Sequence, residues 1–525
     1  MYFFNKYKIQ ILLWVFIIAY SVYFSWFSVL RYKTLYASYY DLGIMHQTVF
    51  NTYQSLKTGD WSKFLELTNP TGAEQIKRMA IHNDPLLALL APLYFIYPGL
   101  DTLLVVQSIV LALGALAIFK IANFIFQKNR YAQFLSLIFA LSYLLYPPLQ
   151  LANIFEFHAV TLATTLLLFM FYFWLVKKYW FSFIFFGLSL LAKEQVVLTT
   201  MMFGLYGLWV SFRHSGERSD SRIDSGPHYA QRATRGRQAR MTSKEKIFLS
   251  GVIFISIFWF IFSVFYIIPI FRGGNHFAAT RYSDFGESPI RIIIGLMTNP
   301  YSISKYIFRD YTLNYLKTLL GPVGFLSLLS PIQLLIALPE FAINLLSKNP
   351  NMRNVIYHYT AVITPFVFIS AIYGTKKVIS YLLMVIGKKN NENKIILFMS
   401  IYVLFFAVGN AYLNGPLPYA KKQNIHPIKW PQPQAKDAAF WGKTLRDENL
   451  RISATGQLSP FFTSRRYFYT FSARYRLADY VVLRPSEIYN YPEKKELIPV
   501  YEKLITDKNF QLIYKKENFE VYKKL

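Results

Sequence analysis

The chain has 525 residues, 54% of them hydrophobic and 16% charged, with 56 Lys and Arg against 28 Asp and Glu, a formal net charge of +28 and no Cys. Soluble domains carry about 25% charged residues, so this composition and a mean hydropathy of +0.27 exclude an ordinary soluble enzyme, and the lack of Cys excludes disulfides and thiolate metal sites. The positive excess fits loops facing anionic lipid better than nucleic acid, and no nucleic-acid partner is expected.

Apolar runs of about 20 residues without a charge match the length that crosses about 30 Å of hydrocarbon as helix. The first covers 9–30, after Lys6 and Lys8. It is too long for a signal-peptide core and no small-x-small site follows, so it predicts an uncleaved anchor. Residues 31–100 form an outer loop with juxtamembrane helices. One runs through Asp41, Met45, Val49 and Tyr53. Another, 86–97, is too short to span, with Asp84 predicted as its N-cap and Pro85 at its first helical position. Further spans are predicted near 101–126, 131–147, 159–176, 180–193, 196–212, 247–271, 357–375 and 394–412. Region 303–346, broken by Gly321, Pro322, Gly324, Pro331 and Pro339, holds two more crossings or a re-entrant pair. The result is an all-α polytopic membrane protein of about 10–12 spans over residues 1–412.

The Arg- and Ser-rich loop 213–246 cannot bury enough surface to order itself and is expected to be disordered and cytoplasmic. Together with Lys128/Arg130, Lys177/Lys178 and Lys376/Lys377 it orients the chain, with a cytoplasmic N-terminus. Residues 413–525 then form a soluble extracytoplasmic α/β domain. Pro416, Pro418, Pro427, Pro431 and Pro433 stiffen its linker. Strand-like runs follow at 451–454, 467–469 and 479–483, then a helix over 493–507 and a hairpin of 511–515 with 519–523.

Phosphate-loop, H-E-x-x-H and G-x-S-x-G motifs are absent from the sequence. The signal lies in ionisable residues at the outward helix ends, where a charge near hydrocarbon is costly and marks function. Asp41 either caps the juxtamembrane helix or accepts a proton. His82 is an interfacial histidine or a ligand contact. Glu156 and His158 stand two apart, which in extended chain points both the same way. Lys193 and Glu194 interrupt an apolar stretch, held in a wet turn or in a site. His276, Arg281 and Asp284 sit in the loop 272–302, and His358 opens the 357–375 span with Arg353 nearby. The charge-derived topology puts Asp41, His82, Glu156, His158, Glu194 and Arg281 on one outer boundary, and His358 joins them if 303–346 crosses an even number of times. Such a set suits a phosphorylated or polyhydroxylated substrate: a carboxylate takes a proton and cations neutralise phosphate. A divalent metal on Asp41 and Glu156 has no supporting ligand spacing.

The segments Tyr40-Asp41-Leu42-Gly43, His82 before Pro85-Leu86-Leu87, Phe155-Glu156-Phe157-His158, Ala192-Lys193-Glu194-Gln195, Gly321-Pro322-Val323-Gly324-Phe325 and His358-Tyr359 resemble a membrane family known as domain of unknown function 2079. That family is similar to the C-type membrane glycosyltransferases, which take sugars from polyprenyl-phosphate carriers and use an acid in the first outward loop. The resemblance implies Asp41 as the catalytic carboxylate. It implies substrate-binding roles for His82, Glu156, His158, Lys193, Glu194, Arg281, Arg353 and His358. Asp41 stands alone where many members of the superfamily carry two acids. The expected function is transfer of a sugar from a polyprenyl-phosphate donor to an envelope acceptor. A transporter or flippase of a lipid-linked solute, and a non-catalytic assembly or sensor protein, are the alternatives. A transporter predicts paired polar residues at the midplane and a repeated half, and neither is visible.

Overall fold

The computed structural model describes residues 6–36, 41–126, 130–216, 242–274, 277–387, 391–418, 420–421 and 432–525. Most of the expected loop 213–246, His276 and much of the proline-rich linker lie outside the described residues.

The helices, in chain order, are α1 Lys6–Lys33, α2 Asp41–Thr58, the short α3 Leu86–Leu90, α4 Leu100–Phe126, α5 Arg130–Leu144, α6 Pro147–Phe155, α7 Ala159–Leu175, α8 Tyr179–Leu190, α9 Val196–Gly216, α10 Ser243–Phe262 and α11 Ile268–Arg272. Then come α12 Pro289–Thr298, α13 Pro300–Ile307, α14 Asp310–Leu320, α15 Pro331–Leu334, α16 Leu338–Leu345, α17 Thr364–Ile386 and α18 Glu392–Asn414. Six stretches among the described residues are long and apolar enough to cross a membrane: Tyr7–Lys33, Leu100–Phe126, Tyr131–Phe155, Ser243–Arg272, Thr364–Ile386 and Glu392–Asn414. The spans expected at 159–176, 180–193 and 196–212 are helical, but they belong to a set of shorter apolar helices of 10–17 residues. One packed core joins them all, from Leu13 of α1 through Leu111 of α4 to Phe366 of α17.

Three expectations change. Residues 148–158, left between the predicted spans 131–147 and 159–176, are mostly α6, because Pro147 and Pro148 start a helix well. The span drawn at 357–375 begins at Thr364, after a 3-10 turn over His358–Thr360, and runs to Ile386, so Lys376 and Lys377 lie within α17. Lys377 Nζ reaches the Leu329 carbonyl at 2.9 Å. Region 303–346, where the sequence allows two crossings or a re-entrant pair, is a chain of short helices. Gly324 and Phe325 there are both left-handed, at φ 62° and 56°. A Cβ at Gly324 would run into the Tyr402 ring, whose hydroxyl donates to the Gly324 carbonyl at 3.0 Å.

The chain's C-terminal part carries helices α19 Ala435–Thr444, α20 Pro485–Asn490 and α21 Lys494–Thr506. After a small outer hairpin, β1 Glu66–Thr68 with β2 Gln75–Lys77, the remaining strands are β3 Ile452–Ala454, β4 Phe468–Thr470, β5 Tyr480–Leu483, β6 Phe510–Lys516 and β7 Phe519–Lys524. They form a five-stranded sheet of order β4-β3-β5-β7-β6, with β3 parallel to β4 and β5, and β7 antiparallel to β5 and β6. Alternation divides its side chains. Ile452, Phe468, Val482 and Val521 pack towards α19 and Ile44 of α2. Tyr469, Val481, Leu483 and Tyr522 pack towards Ile488, Tyr501 and Leu504.

Glu487 of α20 is 8% exposed. It accepts from Gln457 N at 2.9 Å and Thr455 Oγ1 at 3.3 Å. Burial pushes its carboxyl from 4.5 up to about 7, against those bonds and Arg484. The folded domain therefore holds a proton that the unfolded chain has lost between those two values. Its stability contribution is complete below pH 4.5 and declines as pH rises through about 7. Hydrogen-exchange protection of the sheet should fall from pH 5 to pH 8 after correction for intrinsic exchange, and Glu487→Gln should flatten that slope. An unchanged slope in the variant would assign it elsewhere.

Candidate functional site

Helix α2 is buried from Leu42 to Ser55 on all sides, although its sequence is polar. Most of its buried polar side chains have partners, as burial requires; among the described residues Ser55 Oγ has none. Gln47 Nε2 donates to the carbonyls of Arg465 and Arg466 at 3.2 and 2.9 Å, and its Oε1 accepts from Thr68 N at 3.2 Å. His46 joins Tyr94 Oη at 2.7 Å and Ser464 Oγ at 2.8 Å. Gln54 Nε2 donates to Glu448 at 2.7 Å, and Arg466 pairs with Glu66 at 2.9 Å. The helix is thus clamped between the apolar bundle and the C-terminal sheet domain.

The first residue of α2, Asp41, opens into a cavity of about 190 Å³. Arg78, His82, Asp84, His158, Lys193, Arg281 and His358 share its lining. Six of the sequence-derived candidates therefore converge. Asp41 is the first residue of α2 itself rather than a cap preceding it, and it lines the cavity.

Arg78 and Asp84 make a buried fork. Nε reaches Oδ1 at 2.9 Å and Nη2 reaches Oδ2 at 2.8 Å, with both side chains under 5% accessible. Asp84 is therefore not the expected cap of α3, whose N-cap is Pro85 with no side-chain bond. A buried guanidinium needs its full charge partner more than a surface helix needs a cap. Arg78 was missed because in sequence it is one more loop cation. The signal was its place four residues before His82 in a charged cluster.

Glu194 fixes the loop facing Asp41. Its Oε1 is 2.8 Å from His82 Nδ1 and its Oε2 accepts from Asn83 N at 3.0 Å. Asn83 Nδ2 in turn donates to Ser263 Oγ at 2.6 Å, on a π-helical turn over Ser263–Ile267. Gln107 of α4 fixes the break between α6 and α7. Its Oε1 accepts from His158 N at 3.1 Å and Thr161 Oγ1 at 2.7 Å, while Nε2 donates to the Glu156 carbonyl at 2.9 Å. This polar residue in an apolar run drew no attention in the sequence.

His158 stacks on His358 with ring centroids 3.9 Å apart, and its Nε2 is 3.9 Å from Asp41. Burial, with Lys193 and Arg78 adding repulsion, pushes the His158 imidazole down to about 3. His358 is pushed well below its usual value by burial and by His158, so both rings are neutral at neutral pH. Asp41 is different: 60% of its side chain is accessible from the cavity, yet protein encloses the space around it. That enclosure raises its carboxyl, while Arg78, Lys193 and Arg281 pull it down.

Lys193, on the turn between α8 and α9, is 7% exposed. Among the described residues no carboxylate lies within 4.0 Å of its ammonium, and no hydrogen bond holds it. Gln195 takes Glu340 instead, at 2.6 Å. A buried cation without a close counter-charge is costly unless an anion arrives.

Two candidates lie elsewhere. Glu156 is 1% exposed and does not line the cavity; its charge is felt by Arg31. The extended pair Glu156 and His158 therefore does not converge on one space, because Gln107 holds the chain between them. Arg353 lines a different cavity, with Tyr311 and Asn314. Among the described residues no three His, Asp or Glu are placed to hold a metal ion, and Asp41 with Glu156 do not form such a site.

The sequence model of a family described as "Predicted membrane protein (DUF2079)" matches residues 31–521, and the chain belongs to that family. No curated protein matches the sequence. Among solved structures the chain is similar to ArnT from Cupriavidus metallidurans bound to undecaprenyl phosphate, with TM-score 0.50 and 10% identity over 97% of each chain. The same protein in the apo state gives TM-score 0.47 and 11% identity over 97% of each chain. The first likeness gives the fold, an ArnT-like bundle of membrane helices with a small C-terminal sheet domain.

Proposed function

We propose that this member of the DUF2079 family transfers a sugar from a polyprenyl-phosphate donor to an envelope acceptor on the outer face of the membrane. The observation that carries the reading is Lys193, a buried cation without a close counter-charge, sharing one cavity with the accessible carboxylate of Asp41. An acceptor hydroxyl gives its proton to Asp41, and its oxygen bonds to the anomeric carbon. The bond from that carbon to the donor phosphate oxygen breaks, and the electron pair leaves with the phosphate. Lys193 and Arg281 take up the charge that grows on it. His82, set by Glu194, and the neutral His158–His358 stack orient the sugar through ring nitrogens. The ArnT neighbour is bound to undecaprenyl phosphate, which supports a carrier of that class here. Clustering of Lys and Arg in the opposite loops supports the outer face.

The test is turnover by purified protein in lipid nanodiscs, with a defined polyprenyl-phosphate sugar, followed as release of free polyprenyl phosphate. Lys193→Met should slow release by roughly 10²–10³-fold, the usual cost of removing one charge-stabilising donor, and Lys193→Arg should restore part of it. Donor hydrolysis or transfer at equal rates in wild type and Lys193→Met would end this assignment.

A further inference from the structure

The second cavity, about 530 Å³, sits between α6, α14, the 350–356 segment and the end of α18. Among the described residues no carboxylate lines it, and Arg353 is the one charged group there. That guanidinium is fixed in place. Its Nη1 donates to the Ser347 carbonyl at 2.5 Å, with Asn344 and Leu345 carbonyls at 3.5 and 3.4 Å. The Tyr311 ring lies under it at 4.2 Å. Nε and Nη2 have no partner among the described residues, so a rigid fork edge remains for an anion. Tyr311, which also lines the cavity, has a buried hydroxyl with no partner among the described residues. Asn314 and Thr318 add polar groups, while Leu151 and Ile356 make the floor apolar.

Leu313 and Leu413, next in sequence to the lining residues Asn314 and Asn414, are 70% and 45% exposed, and α18, a candidate span, ends at Asn414. An anion that arrives here with an apolar tail finds surfaces for both parts. The space is separate from the first cavity, with which it shares no lining residue.

We propose that the Arg353 cavity binds the phosphate headgroup of a membrane amphiphile, as a second phosphate site independent of the one at Lys193. Dodecyl phosphate is the probe, titrated by calorimetry into the full chain in a maltoside detergent. Wild type should take up two equivalents. Arg353→Gln should weaken one of them at least about tenfold, as loss of a charged hydrogen-bond donor does. Thr318→Phe, which fills the cavity and leaves Arg353 in place, should do the same, so that a folding defect in the first variant does not decide the matter. Lys193→Met should remove only the other equivalent. Unchanged binding in both Arg353→Gln and Thr318→Phe overturns the proposal. Inorganic phosphate competing as well as dodecyl phosphate at the Arg353-dependent site overturns the amphiphile assignment. If Lys193→Met alone changes nothing, the reading of the first cavity fails and this site stands.

Discussion

Asp41→Asn lowers sugar transfer by roughly 10²–10⁴-fold, the span that a positioned general base contributes, without loss of folded protein. The amide keeps the shape and the start of α2, whose hold on the structure lies in Gln47, His46 and Gln54 rather than in its first residue. It removes only the ability to take a proton. Donor binding should persist or tighten, because a negative charge has left a cavity that receives phosphate. The pH profile gives a second readout. Enclosure raises the Asp41 carboxyl above its usual 3.8, and the base works only when ionised. The wild-type rate should therefore rise with pH through a midpoint above 3.8, and this limb should vanish in Asp41→Asn. Neither neighbouring histidine supplies such a limb near neutrality, since His158 is held down to about 3. Normal transfer by a well-folded Asp41→Asn protein, measured as free polyprenyl phosphate released, would show that another group takes the proton.

Asp84→Ala destabilises the protein by about 3–5 kcal/mol, because it leaves the Arg78 guanidinium buried and alone. Both side chains are under 5% accessible, so water cannot take the place of the lost carboxylate. The double substitution Arg78→Met with Asp84→Leu should recover most of the loss, since replacing both charges by apolar groups is often near neutral. The recovered protein should still be slow, because Arg78 also lines the cavity beside Asp41. The measurement is the fraction of monodisperse protein surviving a heat ramp in detergent, read for wild type, Asp84→Ala and the double variant. Equal survival of wild type and Asp84→Ala would show that the fork does no structural work.

The sequence made the membrane helices legible because burial in hydrocarbon writes itself as long charge-free runs, as in Leu100–Phe126 and Glu392–Asn414. The C-terminal strands were equally plain, since Tyr480–Leu483 and Phe519–Lys524 alternate between two cores. Asp41, His82, Glu156, His158, Glu194 and Arg281 could be grouped by their place at one edge of the bundle; of these Asp41, His82, His158 and Arg281 line one cavity, together with Lys193 and His358. What stayed hidden depends on partners distant in sequence. Asp84 looks like a cap until Arg78 folds back on it. Gln107 looks like a stray polar residue until α6 breaks beside it. Arg353 carries the right charge for the site but is turned into another space by the Ser347 carbonyl and the Tyr311 ring. The polar sequence of α2 gave no hint of burial on all sides, because its lid is a domain made from residues about 400 positions away.

That lid has a consequence for how the protein is made. Residues 464–466 leave the ribosome after every membrane helix, yet they hold His46 and Gln47 in the helix that begins with Asp41. A nascent chain that has inserted all its helices still has this helix uncovered on one side. The cavity beside Asp41 therefore gets its full cover only when the tail has been synthesised and has folded against α2.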